Sequence, residues 1–588
     1  MRSFRAKGAV ARSVTWPGEG LTGPVKQRGT ALLFLLSVVV GGGGMIGQLL
    51  LLRELFVSFY GNEISMGVVL ANWLLMEAAG ALAAGRRADT LRRPLHLYLF
   101  LLILYAVFLP AALYCSRGAQ YLFFGFLPGE AVGTAPIFLA SLLLVAPPAF
   151  IHGALFPLSC RLLSPLLGER ISTGKIYLYE TMGTLTGGAL FSLFLAGLYH
   201  SLGLALAISL LHLSGCFFLL SYFPREARLH FPLSSNKCRI LQAAVLTTAL
   251  LLLLFFTQAG NYLHIRSLER QWGDQEVVHY ANSPYGKIVA VHSGGEYTFF
   301  YNGRPVITIP APDKAIIGDY VHIAAAAHSR PRSVLLLAGG PGGFLDELLK
   351  HPVQEVTYVD LDPYLPAAVT RFATPLVERE FQDPRVAVKY LDGRLFLDRT
   401  EHRFDLMMLG FVTPETLQTN RFYTGEFFSL AGRRLDVGGI LAFSAPGSPV
   451  LMSPEMLALN AVLYHTLRRH FANVHVIPGV RNIFLASAAP LDIDAAVLDK
   501  RLEARGLAGE FVAGNYLHYR LDEERARCLR EKLTAREVRL NSDLNPAGFY
   551  YALRYWGEAF SPGTLTLLRA LEWLKLQHFL LAVLALTV

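Results

Sequence analysis

The chain has no CxxC pair: its five cysteines, Cys115, Cys160, Cys216, Cys238 and Cys528, lie far apart. That spacing excludes a zinc ribbon and a disulfide framework. Four of them fall in or beside apolar stretches, where cysteine serves as a small apolar residue. No small-residue cleavage site follows the first apolar stretch, so the basic N-terminus reads as a retained segment, not a signal peptide. Charge is also scarce, at 16% of residues against 53% hydrophobic, with a mean hydropathy of +0.39. This is too apolar for an ordinary soluble enzyme. The net charge of +9 has no source in the second half: residues 1–258 hold 19 Lys and Arg against 9 Asp and Glu, and the rest hold 34 against 35. A nucleic-acid partner, which needs a basic face on the soluble part, is not expected.

What is present in excess is apolar sequence before residue 260. Seven stretches, at 31–52, 65–85, 94–115, 134–158, 176–198, 202–222 and 240–258, each approach the ~20 residues that a spanning helix needs. Basic residues alternate by loop. Six lie in the tail before residue 30, and four, three and four lie at 86–93, 161–175 and 225–239, while the intervening loops carry only Arg53 and Arg117. This bias predicts a multi-pass protein of the cell (inner) membrane with a cytoplasmic N-terminus. Seven crossings would then put the following domain outside, so either one stretch is re-entrant or that domain faces outward, and its side stays open. Glu77, His152, Glu180 and His212 are ionisable residues within the stretches, read either as a polar path or as packing and snorkelling groups without a visible partner. Gly41 to Gly44 and Gly183, Gly187 and Gly188 predict close helix contact, and Arg53 with Glu54 a local ion pair.

From about residue 260 the texture is that of a water-soluble α/β domain. YGKIVAVHSGGEYTFFYNGRPVITI alternates apolar and polar residues around an Asn302-Gly303 turn, which predicts a small antiparallel sheet. Val334 to Pro363 then reads as strand, glycine turn, helix and a second strand ending in acids. Its glycines, Gly339, Gly340, Gly342 and Gly343, place backbone amides at the start of a helix over 344–350, where a nucleoside can approach. Asp360 follows Gly343 by 17 residues, roughly where a doubly wound fold carries its ribose-binding acid. Further strands end at Asp392 in RVAVKYLDG, at 404–410 in FDLMMLG and at 437–446 in VGGILAFSAP. A mainly parallel sheet wrapped by helices follows, with Asp360, Asp392 and Gly410 at its carboxyl edge. Asp360 suits ribose hydroxyls and Asp392 an adenine amino group; either can instead cap a helix.

The order HSRPRSVLLLAGGPGGFLDELLKHPVQEVTYVDLDP, DPRVAVKYLDGRLFL, FDLMMLG, FYTGEFFSLAGRRLDVGGIL resembles the spermidine synthase (polyamine aminopropyltransferase) family over roughly 275–490, and in particular its membrane-fused members. The membrane half is similar to that subgroup through GQLLLLRELFVSFYGNE, GRRADTLRRPLHLY, HGALFPL and GKIYLYETMGTLTGG, as is the late NSDLNPAGFYY. The resemblance implies a Rossmann-like, methyltransferase-type domain. Its donor substrate would be decarboxylated S-adenosylmethionine, or S-adenosylmethionine itself, with no tightly bound cofactor and no metal. In that chemistry a neutral amine attacks the methylene beside a sulfonium, so acids are needed to hold the amine and a base to deprotonate it.

The chain departs from the family at those acids. Gly410 stands at the first aspartate of the family's DSSDP-like loop and Thr413 at the second; Gly286 replaces the usual glutamine, Ile317 and Gly318 a His-Glu pair, and Pro341 the acid of the glycine turn. The catalytic residue is therefore unknown. Asp319 and Glu415 are the nearest candidate substitutes, and Tyr285, Tyr320 and Tyr423 are read as pocket lining or packing. The expected organisation is a basic cytoplasmic tail (1–30), a seven-helix membrane domain (31–258), a small β-sheet subdomain (259–330), a Rossmann-like domain (331–560) and a hydrophobic end (561–588) whose apolar run is too short to cross a bilayer alone. The expected function is a membrane-bound spermidine synthase-like protein of polyamine biosynthesis. Its alternatives are a noncatalytic adenosyl-binding or transporter-coupled protein, and a methyltransferase. Expected partners are the lipid bilayer, a small-molecule amine and another copy of the chain.

Overall fold

The structure, a computed structural model, describes residues 24–91, 94–125, 132–167, 169–222, 235–372, 374–508, 514–572 and 576–587. The basic tail before residue 24 and most of the 225–239 loop lie outside them. The chain divides into two compact units, one holding residues 1–58, 66–126 and 137–273, the other 59–65, 127–136 and 274–588.

Among the described residues of the first unit, six helices are long and apolar enough to cross a membrane: Thr30–Ser58, Glu63–Ala88, Pro94–Arg117, Thr134–Ser164, Thr173–Leu198 and Ser201–Leu219. They cover the first six apolar stretches. The seventh, Ile240–Phe255, runs into Gln258–Trp272 with a bend of 75°. The glycines act as expected. A Cβ at Gly41 would stand 2.1 Å from the Glu180 carbonyl oxygen, and one at Gly183 2.1 Å from that of Val38, so only glycine allows this backbone approach. Gly43 and Gly44 make room for rings, since a Cβ there would meet His212 at 2.2 Å and His152 at 1.9 Å.

Two expectations are revised here. Glu77 has a partner, His152 Nδ1 at 2.6 Å, supplied by another helix and so invisible to local sequence. Glu54 pairs with Arg117 of another helix at 2.9 Å, a partner the local Arg53-Glu54 reading does not include; both partners of that bridge are buried, and burial favours a fully hydrogen-bonded bidentate cation.

The second unit begins with a four-stranded antiparallel meander, β1 (Glu276–Asn282), β2 (Lys287–Ser293), β3 (Glu296–Tyr301) and β4 (Arg304–Ile309). Asn302 and Gly303 both take positive φ, 51° and 83°, at the β3–β4 hairpin, as the Asn-Gly pair predicts. Seven more strands follow: β5 (Ser333–Leu337), β6 (Glu355–Asp360), β7 (Val386–Tyr390), β8 (Phe404–Leu409), β9 (Leu435–Pro446), β10 (Asn473–Ile477) and β11 (Arg481–Ser487). They form one sheet in the order β10-β11-β9-β8-β5-β6-β7, with β5 to β9 parallel and β10 and β11 antiparallel at one edge. This is the Rossmann-like architecture expected. β5 is apolar throughout because it is covered on both faces: Val334 and Leu336 join a core with the Lys314–Ala327 helix, Leu335 and Leu337 one with Phe427 and Phe428. Leu337 pairs with Val359 of β6 and with Leu409 of β8, so these three strands end level. The short apolar end forms two helices, Pro562–Ala570 and Leu576–Thr587.

Candidate functional site

The level strand ends bring the glycine turn, Asp360 and Gly410 to one edge. After β5 the chain reverses through Ala338 and Gly339, both left-handed at φ 59° and 65°, and through Gly342 and Gly343 at 91° and 114°, into the helix Phe344–Leu349. The turn is tightly packed: a Cβ at Gly340 would stand 2.4 Å from the Tyr358 ring and one at Gly342 2.7 Å from Ile307. Two of its amides are already occupied. Gly342 and Gly343 donate to Glu380 Oε2 and Oε1 at 2.9 and 2.7 Å, from the buried face of the Pro375–Gln382 helix. Burial pushes the Glu380 carboxyl up to about 7 in spite of these amides.

Asp360 ends β6 with both oxygens oriented. One accepts the Tyr358 hydroxyl at 2.5 Å, the other the Asp362 amide at 3.1 Å, and burial raises its pKa. Asp362, buried one step further on, accepts the hydroxyls of Ser283 at 2.5 Å and Tyr301 at 3.0 Å, tying the meander to the sheet edge. Asp392 caps the Gly393–Arg399 helix by accepting the amides of Arg394 and Leu395, both at 3.0 Å, while its second oxygen takes Arg421 at 3.0 Å. The helix-capping alternative is thus the geometry seen for Asp392.

At Gly410 the backbone decides the chemistry. Its amide donates to the Leu337 carbonyl at 3.0 Å, and an added Cβ would stand 2.4 Å from the Ala338 carbonyl oxygen. No carboxylate fits there on this backbone. Neither candidate substitute is idle: Asp319 binds Arg520 through contacts of 2.9 to 3.0 Å and accepts the Tyr516 hydroxyl, while Glu415 pairs with Arg304 and accepts the Thr413 hydroxyl at 2.7 Å. Tyr320 and Tyr423 are buried packing residues whose hydroxyls donate to carbonyls, Tyr320 to those of Leu409 and Ala442 and Tyr423 to that of Val412; Tyr285 is exposed. Among the described residues no cluster of His, Cys, Asp and Glu has the makings of a metal site.

Glu380, Asp362 and Arg481 escaped the sequence reading. Arg481 opens β11 opposite Pro446, with its guanidinium 4.6 Å from the centre of the Phe411 ring and its Nε donating to Ser444 Oγ at 2.9 Å. Burial lowers its pKa. Glu380 sits in VEREF, which reads as an exposed charged face, and Arg481 is a lone charge in PGVRNIFLAS; neither pattern marks a site. Asp362 had a signal in the doubled acid of VDLDP.

A parallel sheet with an acid at the end of its second strand and a glycine turn beside it is the arrangement of the doubly wound α/β folds. Residues 317–485 match the model of the spermine/spermidine synthase domain. The chain is 25% identical over 400 residues to a polyamine aminopropyltransferase of Oceanobacillus iheyensis, spanning 67% of this chain and 75% of that protein. It is 29% identical over 206 residues to the one of Korarchaeum cryptofilum, 34% of this chain and 64% of the relative, and 32% identical over 194 residues to that of Nitrosomonas europaea, 32% and 59%. A crystal structure of spermidine synthase from Thermotoga maritima superposes with a TM-score of 0.37 at 18% identity, covering 44% of this chain and 88% of that one.

Proposed function

We propose that the chain is a membrane-integral transferase of the aminopropyltransferase type, whose α/β domain, residues 274–560, binds an adenosyl sulfonium donor. Its nucleoside half is made of Gly339, Gly340, the turn through Gly342 and Gly343, and Asp360, with Asp392 at the adjoining strand end. The observation that carries this reading is Asp360: one oxygen is fixed by Tyr358 and the other by the Asp362 amide, so the carboxylate is oriented at the sheet edge before a ribose arrives. In the reaction an acceptor nitrogen forms a bond to the methylene carbon, the carbon–sulfur bond breaks, and its electron pair stays on sulfur as neutral methylthioadenosine. The amine loses its proton in the process. Since Gly410 offers no base, the acceptor must arrive neutral or lose its proton to solvent.

The test uses the full chain in detergent. Methylthioadenosine is expected to bind, and Asp360→Ala to weaken it about 10-fold or more, the loss of charge-assisted hydrogen bonds worth about 1.5–3 kcal/mol. Decarboxylated S-adenosylmethionine with putrescine is then supplied and product measured. Binding without turnover would favour the noncatalytic adenosyl-binding reading, which the closed backbone at Gly410 supports, or a different donor or acceptor. A folded protein that binds no methylthioadenosine sinks the proposal.

A further inference from the structure

The half of the site that would face a cationic amine has lost acids and holds an arginine. Around the loop after β8, Gly410 admits no side chain, Glu415 is paired with Arg304, and Asp319 is held by Arg520. Arg481 lies against this loop, stacked on Phe411, which itself packs edge-on against Phe344 at the end of the glycine turn, ring centres 4.7 Å apart. Its Nη2 is buried and has no hydrogen-bond partner among the described residues. The position is also braced: Arg520 donates to the carbonyls of Pro478 and Arg481, so the Asp319–Arg520 pair holds the turn from which Arg481 projects. A buried guanidinium donor left open is costly unless a ligand completes it, and its planar fork suits a carboxylate.

We infer that Arg481 receives a carboxylate carried by the ligand in the half of the site where an amine-binding acid is absent. This rests on the adenosyl reading above and narrows it: the anionic group belongs either to a donor that keeps its amino-acid carboxylate or to an acidic acceptor. With such a donor the transferred group is aminocarboxypropyl, and bond making, bond breaking and the thioether leaving group are unchanged.

Titration of the full chain in detergent separates the sources. In the donor arm, S-adenosylhomocysteine is expected to bind at least 10-fold tighter than its decarboxylated analogue. Arg481→Gln should abolish that preference while leaving methylthioadenosine affinity within about 2-fold, and Arg481→Lys should keep part of it. In the acceptor arm, glutamate is tested against putrescine on the methylthioadenosine complex; an Arg481-dependent preference for glutamate places the carboxylate on the acceptor. Absence of a carboxylate preference in both arms, or a preference that survives Arg481→Gln, overturns the inference while methylthioadenosine binding still stands. If methylthioadenosine itself fails to bind the folded chain, the adenosyl reading falls and this inference with it. Should Arg481→Gln not fold, Arg481→Lys and the wild-type preference decide.

Discussion

At the scale of single residues, Glu380 ties stability to pH. Its carboxyl titrates near 7 in the fold against 4.5 for the free group, because burial disfavours its charge. Between those values the folded chain keeps a proton that the unfolded chain has released. The stabilisation is therefore complete below about pH 4.5 and is lost as pH rises through about 7, at a slope of up to about 1.4 kcal/mol per unit. Thermal unfolding of the wild type should accordingly lose midpoint temperature between about pH 5 and pH 7.5 more steeply than that of Glu380→Gln, which has no proton to lose. Equal slopes would show that Glu380 is ionised in the fold and that its amide contacts with Gly342, Gly343 and Asp346 outweigh burial.

At the scale of elements, glycines let the long apolar helices of the first unit approach backbone to backbone. Gly183→Val would drive a branched side chain into the Val38 carbonyl, and the expected outcome is a loss of about 1–3 kcal/mol or a separation of the two helices, read by thermal unfolding in detergent. Gly67→Val, at a position with open space around it, is the control and should be near neutral. The elements were legible in sequence wherever periodicity or turn chemistry is local: the apolar stretches, the Asn302-Gly303 hairpin, the β5 turn and the strand ending at Asp360. Partners contributed from distant sequence were not. Nothing near Glu77 announces His152, nothing near Glu54 announces Arg117, and VEREF gives no hint that Glu380 turns inward onto the glycine amides. The same holds for the site: the glycines and Asp360 carry a spacing signature, whereas Arg481 becomes informative only once β11 is laid beside β9.

At the scale of the molecule, the number of crossings sets the compartment of the chemistry. Ser235–Phe256 has 22 residues, but its apolar part begins only at Ile240, after Lys237 and Arg239, and rises about 26 Å against a hydrocarbon core of about 30 Å. Whether it crosses or turns back at the 75° bend into Gln258–Trp272 decides the side of residue 274 onward. A compartment-specific reporter fused after Gly273 decides this: the adenosyl reading expects a cytoplasmic signal, where adenosyl donors are made, and an outer-compartment signal overturns it. The closed backbone at Gly410 has one further consequence for the whole chain. Because the backbone carbonyl of Ala338 occupies the place of any side chain at 410, an acid there requires the turn after β5 to shift as well. The missing base and the shape of the glycine turn are thus one property of this chain, not two.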